Sequence, residues 1–227
     1  MKFRKVLVFI FLILLSCEGF AQIKAKGIIV DTVKSSAKKS GKTYALIFGI
    51  SKYKNPAIPQ LQYADADARA FYHYLINSGI DSNSLILRTN ETATYGEFWA
   101  NIDYLTNIAQ QGDKIYIYFS GHGDVENKTI VKDAFLLPYD APRNVYPISA
   151  INVMLLKSWI ATWSSKGIMS IFIADACRSG NLAGGREGME AAANIMKDKW
   201  EDEIKILSCQ PGELSLEGKQ WGGGCAI

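Results

Sequence analysis

The sequence predicts an α/β layer fold in which a mostly parallel central sheet is flanked by helices on both faces. From Thr43 onward β-prone apolar runs alternate with helix-length stretches, the pattern of parallel strands joined by right-handed crossovers. The run Ile168-Met169-Ser170-Ile171-Phe172-Ile173-Ala174 is continuous and apolar, as a strand covered on both faces must be. With 227 residues, 48% hydrophobic and 21% charged, the chain can fill one core of up to ~200 residues and leaves no room for a second large domain. The same composition excludes disorder and collagen-like repeats.

The elements follow in order. Tyr44 to Ile50 reads as the first strand, and a proline-containing loop leads to a helix from about Ala64 to Ser78. Leu85-Ile86-Leu87 is a second strand. A helix from Tyr95 to Gln110 opens on Thr94 with Glu97 three residues later, the spacing of a capping box. Lys114 to Phe119 is the third strand, an insert contains Ala134-Phe135-Leu136-Leu137, and Ser149 is placed as the cap of a helix from about Ala150 to Trp163. The 168–174 strand and Ile204-Lys205-Ile206-Leu207 complete the set.

Lys2, Arg4 and Lys5 precede a ten-residue apolar run, Val6 to Leu15, and the segment leaves through Gly19-Phe20-Ala21. That is the build of a secretory signal peptide cut after Ala21, so the protein is expected to be exported to the periplasm or beyond. A spanning helix needs ~20 apolar residues, so membrane anchoring through an uncleaved N-terminus ranks second. Lipid attachment at Cys17, suggested by Leu14-Leu15-Ser16-Cys17, is a further alternative. Residues 22–42 read as a polar, basic linker, and residues 43–227 as the folded domain. Without residues 1–21 the charges stand at 22 basic against 21 acidic, which gives no basic patch for nucleic acid. Three cysteines then remain, Cys177, Cys209 and Cys225. An odd number in an exported chain leaves at least one thiol outside any disulfide within the chain, and it is expected to be free.

Working residues in open α/β sheets sit beyond the carboxyl ends of the strands. Two strand ends are chemically loaded: Ser120-Gly121-His122-Gly123-Asp124, read as a loop in which the glycines turn the backbone sharply, and Asp175-Ala176-Cys177-Arg178-Ser179-Gly180. A histidine near a cysteine can take its proton or hold it as thiolate, which makes the sulfur nucleophilic near neutral pH. The plainer readings are a turn histidine and a buried inert thiol. The other histidine, His73, lies between Tyr72 and Tyr74 on the first helix, where packing or surface exposure suffices.

Taken together, the two motifs, with His122 lying 55 residues before Cys177, resemble the caspase and metacaspase superfamily of cysteine endopeptidases, over roughly Thr43 to Ile227. The resemblance implies the caspase-like (caspase-hemoglobinase) fold and a peptide or protein substrate. In it Cys177 is the nucleophile, His122 the general acid and base, and the backbone N–H groups of Gly123 and Cys177 the oxyanion hole. It implies no third triad residue and no cofactor. Calcium activates some metacaspases, but no convincing acidic cluster maps onto this chain.

Caspases cut after aspartate and metacaspases after arginine or lysine. Asp175 stands two before the cysteine, as metacaspases have it. Asp67, in Leu61-Gln62-Tyr63-Ala64-Asp65-Ala66-Asp67-Ala68, matches a second pocket acid, and Ser120 a pocket serine. Two carboxylates imply a cationic P1 side chain. Against this, Asp65 and Asp67 fit the first turn of a helix on dipole grounds alone, and Asp175 could pair with Arg178.

The chain departs from the metacaspase pattern at Arg178, usually histidine, and at Ala64, in some members cysteine. Asn181 to Glu203 resembles a loop between large and small subunits, with Arg186, Lys197 and Lys199 as self-cleavage candidates. Trp221-Gly222-Gly223-Gly224 resembles the small-subunit turn, after which the family has a further helix and strand, so the sequence reads as a catalytic domain shortened at its C-terminus. The competing reading is a catalytically inactive caspase-like interaction module. A metal or redox protein is disfavoured by two histidines and no CxxC.

Overall fold

Three β-prone runs form the centre of the sheet because each is apolar on both faces. The computed structural model describes residues 41–125, 133–143, 145–177 and 204–207. The expected signal peptide, the linker up to residue 40, the 181–203 loop and the C-terminal turn lie outside these residues. Strand β1 (Thr43–Gly49) is followed by helix α1 (Ala64–Asn77), β2 (Leu85–Thr89), α2 (Tyr95–Ile108), β3 (Lys114–Val125) and β4 (Ala134–Leu136). The one-turn helix α3 (Tyr146–Ser149), β5 (Ile151–Asn152), α4 (Val153–Ser165), β6 (Met169–Cys177) and β7 (Ile204–Leu207) complete the described chain.

Among the described residues the sheet runs β2-β1-β3-β6-β7, every neighbour parallel. Strands β4 and β5 add an antiparallel extension to the upper part of β3, so the sheet is mixed around a parallel core. The chain steps outward from β1 to β2 through α1, then returns across β1 to β3 through α2 and onward to β6 through α4. A reversal of direction with constant crossover handedness puts α1 on one face and α2 with α4 on the other.

The two cores agree. Leu46, Phe48, Ile117, Phe119 and Phe172 pack with Phe98, Ile102, Ile160 and Trp163 on one face. Ala45, Ile47, Tyr118, Ile171 and Ile173 pack with Ala68 and Leu75 on the other. The Trp163 indole N–H donates to Thr106 Oγ1 at 2.7 Å, tying α4 to α2. At Gly49 an added Cβ would lie 2.4 Å from Ala68 Cβ and 2.5 Å from the Ala64 carbonyl oxygen. Only glycine lets α1 lie this close to β1.

Two local expectations are corrected. Ser149 caps no long helix: it ends α3, and the helix toward Trp163 starts at Val153, where Asn152 Oδ1 accepts from the N–H groups of Met154 and Leu155. Residues 151 and 152 are drawn instead into pairing with β4. Thr94 caps α2 by accepting from the Glu97 N–H, but the Glu97 carboxylate turns outward to Arg88 at 2.8 Å. The reciprocal half of the capping box is thereby given up to an ion pair.

Candidate active site

The reversal of chain direction falls between β1 and β3, and crevices of open α/β sheets form beyond the carboxyl ends of strands at such a point. His122 lies there. Ser120 to Asp124 is read from sequence as a loop and Asp175 to Cys177 as lying past the 168–174 strand, but both segments belong to strands, β3 and β6. Neither Gly121 nor Gly123 is among the glycines with positive φ, so they do not turn the chain. Their value is space: a Cβ on Gly121 would come within 2.9 Å of Tyr53 Oη, and one on Gly123 within 3.3 Å of Ala176 Cβ.

The register of β3 and β6 runs unbroken from Lys114 opposite Met169 to His122 opposite Cys177. Register partners in parallel strands share a face, so residues 122 and 177 stand side by side on the α1 face. One pleat below them is the row Gly49, Ser120 and Asp175. Ser120 and Asp175 are almost fully buried, at 0% and 1% exposure. Phe71 of α1 stacks on Tyr118, centroids 4.6 Å apart. Asp67 precedes Phe71 by one helical turn on the same stripe, and α1 runs against the strands, so Asp67 lies above Tyr118 toward Ser120. Asp67 is half-buried, with its Oδ2 out of solvent.

The histidine is gripped from the β1–α1 connection. In a parallel ladder a residue turns its N–H and C=O to the same neighbour, and the Ile50 N–H donates to the Ser120 carbonyl, so even-numbered residues of β3 face the β1 edge. At His122 β1 has ended. The His122 N–H donates instead to Tyr53 Oη at 2.7 Å, while its carbonyl accepts from Leu137 N–H at 2.9 Å, just beyond β4. By the same alternation Gly123 turns its N–H toward the β6 edge, where Cys177 ends the strand. The imidazole Nε2 is 2.9 Å from the Pro59 carbonyl oxygen. A carbonyl can only accept, so Nε2 carries the proton and the neutral ring keeps its basic lone pair on Nδ1. The Tyr53 ring lies beside the imidazole at 5.2 Å and 31°.

That connection is itself clamped. Asn90 Oδ1 accepts from the N–H groups of Ser51 and Lys52, both at 2.9 Å, and Asn90 Nδ2 donates to Asp65 Oδ2. Ser51 Oγ donates to Asp65 Oδ1 at 2.6 Å. Asn90 has φ of 47°, a left-handed conformation that asparagine tolerates better than most residues. Burial by itself would raise the Asp65 pKa, but the hydrogen bonds from Ser51 and Asn90 and the nearby Arg69 charge outweigh it and hold the carboxyl below its ordinary value.

The structure thus brings His122, Gly123, Ser120, Asp175 and the backbone of Cys177 together, with Asp67 flanking them. Asp65 acts as a buttress, and His73 is solvent-exposed on α1. The sequence offered no sign of Pro59, whose contribution is a backbone oxygen, nor of Tyr53 and Asn90, whose partners lie 69 and 39 residues away. Among the described residues no group of three or more His, Cys, Asp or Glu could hold a metal, and no helix is long and apolar enough to cross a membrane.

No curated protein matches the chain. Among solved structures, the protein GSU0716 from Geobacter sulfurreducens superposes with a TM-score of 0.57 at 15% identity, covering 78% of this chain and 76% of that one, a likeness of fold. The family model described as the caspase domain matches residues 42–225, the span that contains both loaded strand ends and the histidine's clamp. On that match the chain belongs to the caspase-domain family of cysteine peptidases.

Proposed function

We propose that the chain is a cysteine endopeptidase working through His122 and Cys177, and that it cuts after arginine or lysine. The observation that carries this is the pairing of residues 122 and 177 as same-face register partners at the switch point of the sheet. The Cys177 thiolate attacks the scissile carbonyl carbon, and the oxygen takes up the negative charge. The N–H groups of Gly123 and Cys177 receive that oxyanion. Protonated His122 Nδ1 gives its proton to the departing amine as the C–N bond breaks, leaving a thioester. Nδ1 then takes a proton from water, the hydroxide attacks the thioester, and the acid product leaves with the thiol restored. Pro59 serves both steps, because an Nε2–H bond to a carbonyl strengthens when the ring becomes cationic.

Specificity follows from the row beneath the dyad. Asp175 and Ser120 are buried within the sheet and Asp67 flanks them, so a guanidinium or ammonium entering there meets carboxylates at low solvent exposure, where charge-assisted hydrogen bonds are strong. The N-terminal segment supports an exported enzyme, released by cleavage after Ala21 or held by lipid at Cys17.

The test is a peptide series differing at P1. Turnover of Arg and Lys peptides that disappears in Cys177→Ala, together with labelling of Cys177 by a peptidyl-Arg fluoromethylketone, is the expected result. Turnover of Asp peptides alone would refute the specificity. Failure of the probe to label Cys177 in folded protein would favour the inactive interaction module.

A further inference from the structure

We infer that Tyr53 is a positioning residue for His122, standing in for the strand that β3 has lost at that point. This rests on the His122/Cys177 reading above. β1 supplies hydrogen-bonding partners along the lower part of β3 and β4 takes the same edge from Gly123 upward; between them the His122 N–H faces neither strand. Tyr53 fills that rung with its hydroxyl at 2.7 Å and lays its ring beside the imidazole. The residue is 6% exposed, and its neighbours Ser51 and Lys52 are pinned by Asn90. The hydroxyl therefore sits at the end of a short, anchored lever. A buried peptide N–H that loses its acceptor must move or remain unsatisfied, and movement of His122 disturbs the 2.9 Å bond from Nε2 to Pro59.

The experiment is the pH dependence of Cys177 alkylation by iodoacetamide, read at that residue by mass spectrometry, which needs no knowledge of the substrate. On the dyad reading a protonated His122 stabilises the Cys177 thiolate, so alkylation in the wild type should begin at lower pH than at an ordinary thiol. Tyr53→Phe keeps the ring and removes the acceptor. It should move the acidic limb of the profile up by about one unit, slowing alkylation near neutral pH about tenfold, with circular dichroism unchanged. Gly121→Ala, whose Cβ would come within 2.9 Å of the hydroxyl, should shift the profile in the same direction and provides the test should Tyr53→Phe fold poorly. His122→Ala is the reference. If it moves the limb and neither variant does, Tyr53 is only a packing residue and the inference fails while the dyad stands. If His122→Ala leaves the profile unmoved, the dyad reading fails and this inference with it.

Discussion

The Nε2 of His122 lies 2.9 Å from the carbonyl oxygen of Pro59, a residue 63 positions earlier in the chain. That bond fixes which ring nitrogen carries the proton, and it depends on where the 50–63 connection rests rather than on the proline side chain. The connection is held at one end by the Asn90 clamp and in its middle by Ile58, which is fully buried.

Pro59→Ala keeps the carbonyl and should leave kcat within about threefold of wild type, because the hydrogen bond is unchanged. Ile58→Ala empties a buried site and should cost about 2–5 kcal/mol of stability, together with a larger fall in kcat. Urea unfolding and peptide turnover on the same samples check both; a large kcat loss in Pro59→Ala alone would contradict the carbonyl's role.

Asp65 makes stability depend on pH. Its folded pKa is lowered, so it stabilises the fold above the unfolded value of ~3.9, and that contribution is lost as pH falls through the folded value. Urea midpoints followed from about pH 6 to about pH 3 should decline, and Asp65→Asn should flatten that decline. Parallel curves for the two proteins would show that the Ser51 and Asn90 bonds do not act on its titration.

Asn90 serves in two ways, and two substitutions separate them. Both Asn90→Gly and Asn90→Ala lose the bonds to Ser51, Lys52 and Asp65, but alanine must also adopt φ of 47°. A non-glycine residue there costs roughly 1–2 kcal/mol, so the alanine variant should be the less stable by that amount in chemical denaturation.

Gly49→Ala should be among the most damaging single-methyl additions. Its Cβ meets backbone at 2.5 Å, which no rotamer change relieves, and overpacking of this kind costs about 1–3 kcal/mol or more. Thermal unfolding of soluble protein is the measurement. By contrast, Arg88→Ala removes an ion pair whose side chains are 33% and 46% exposed, and should cost no more than about 1 kcal/mol.

How much was readable in the sequence divides along physical lines. Leu46, Ile117 and Phe172 announce central strands because burial on both faces forces apolar runs, and a histidine and a cysteine at two strand ends mark the candidate site by residue type. The limits of β3 were missed because Ser120 to Asp124 has glycine-rich loop composition, while its extended form comes from pairing with β6 and β4. The start of α4 was missed because Ser149 and Asn152 are both good caps, and only pairing of residues 151 and 152 with β4 decides between them. Tyr53 and Asn90 look like ordinary loop residues until the fold places His122 and Ser51 beside them.

The strand ends that carry His122 and Cys177 share one ladder and differ in what holds their other edges. Cys177 ends a strand whose ladder with β3 runs without a break from Lys114 and Met169, and the same ladder holds His122 from the opposite side. On its other edge the peptide of His122 is held by a phenol from one connection and an amide from another. In the proposed dyad, slackening either tether would shift His122 without loosening the β3–β6 ladder that ends at Cys177.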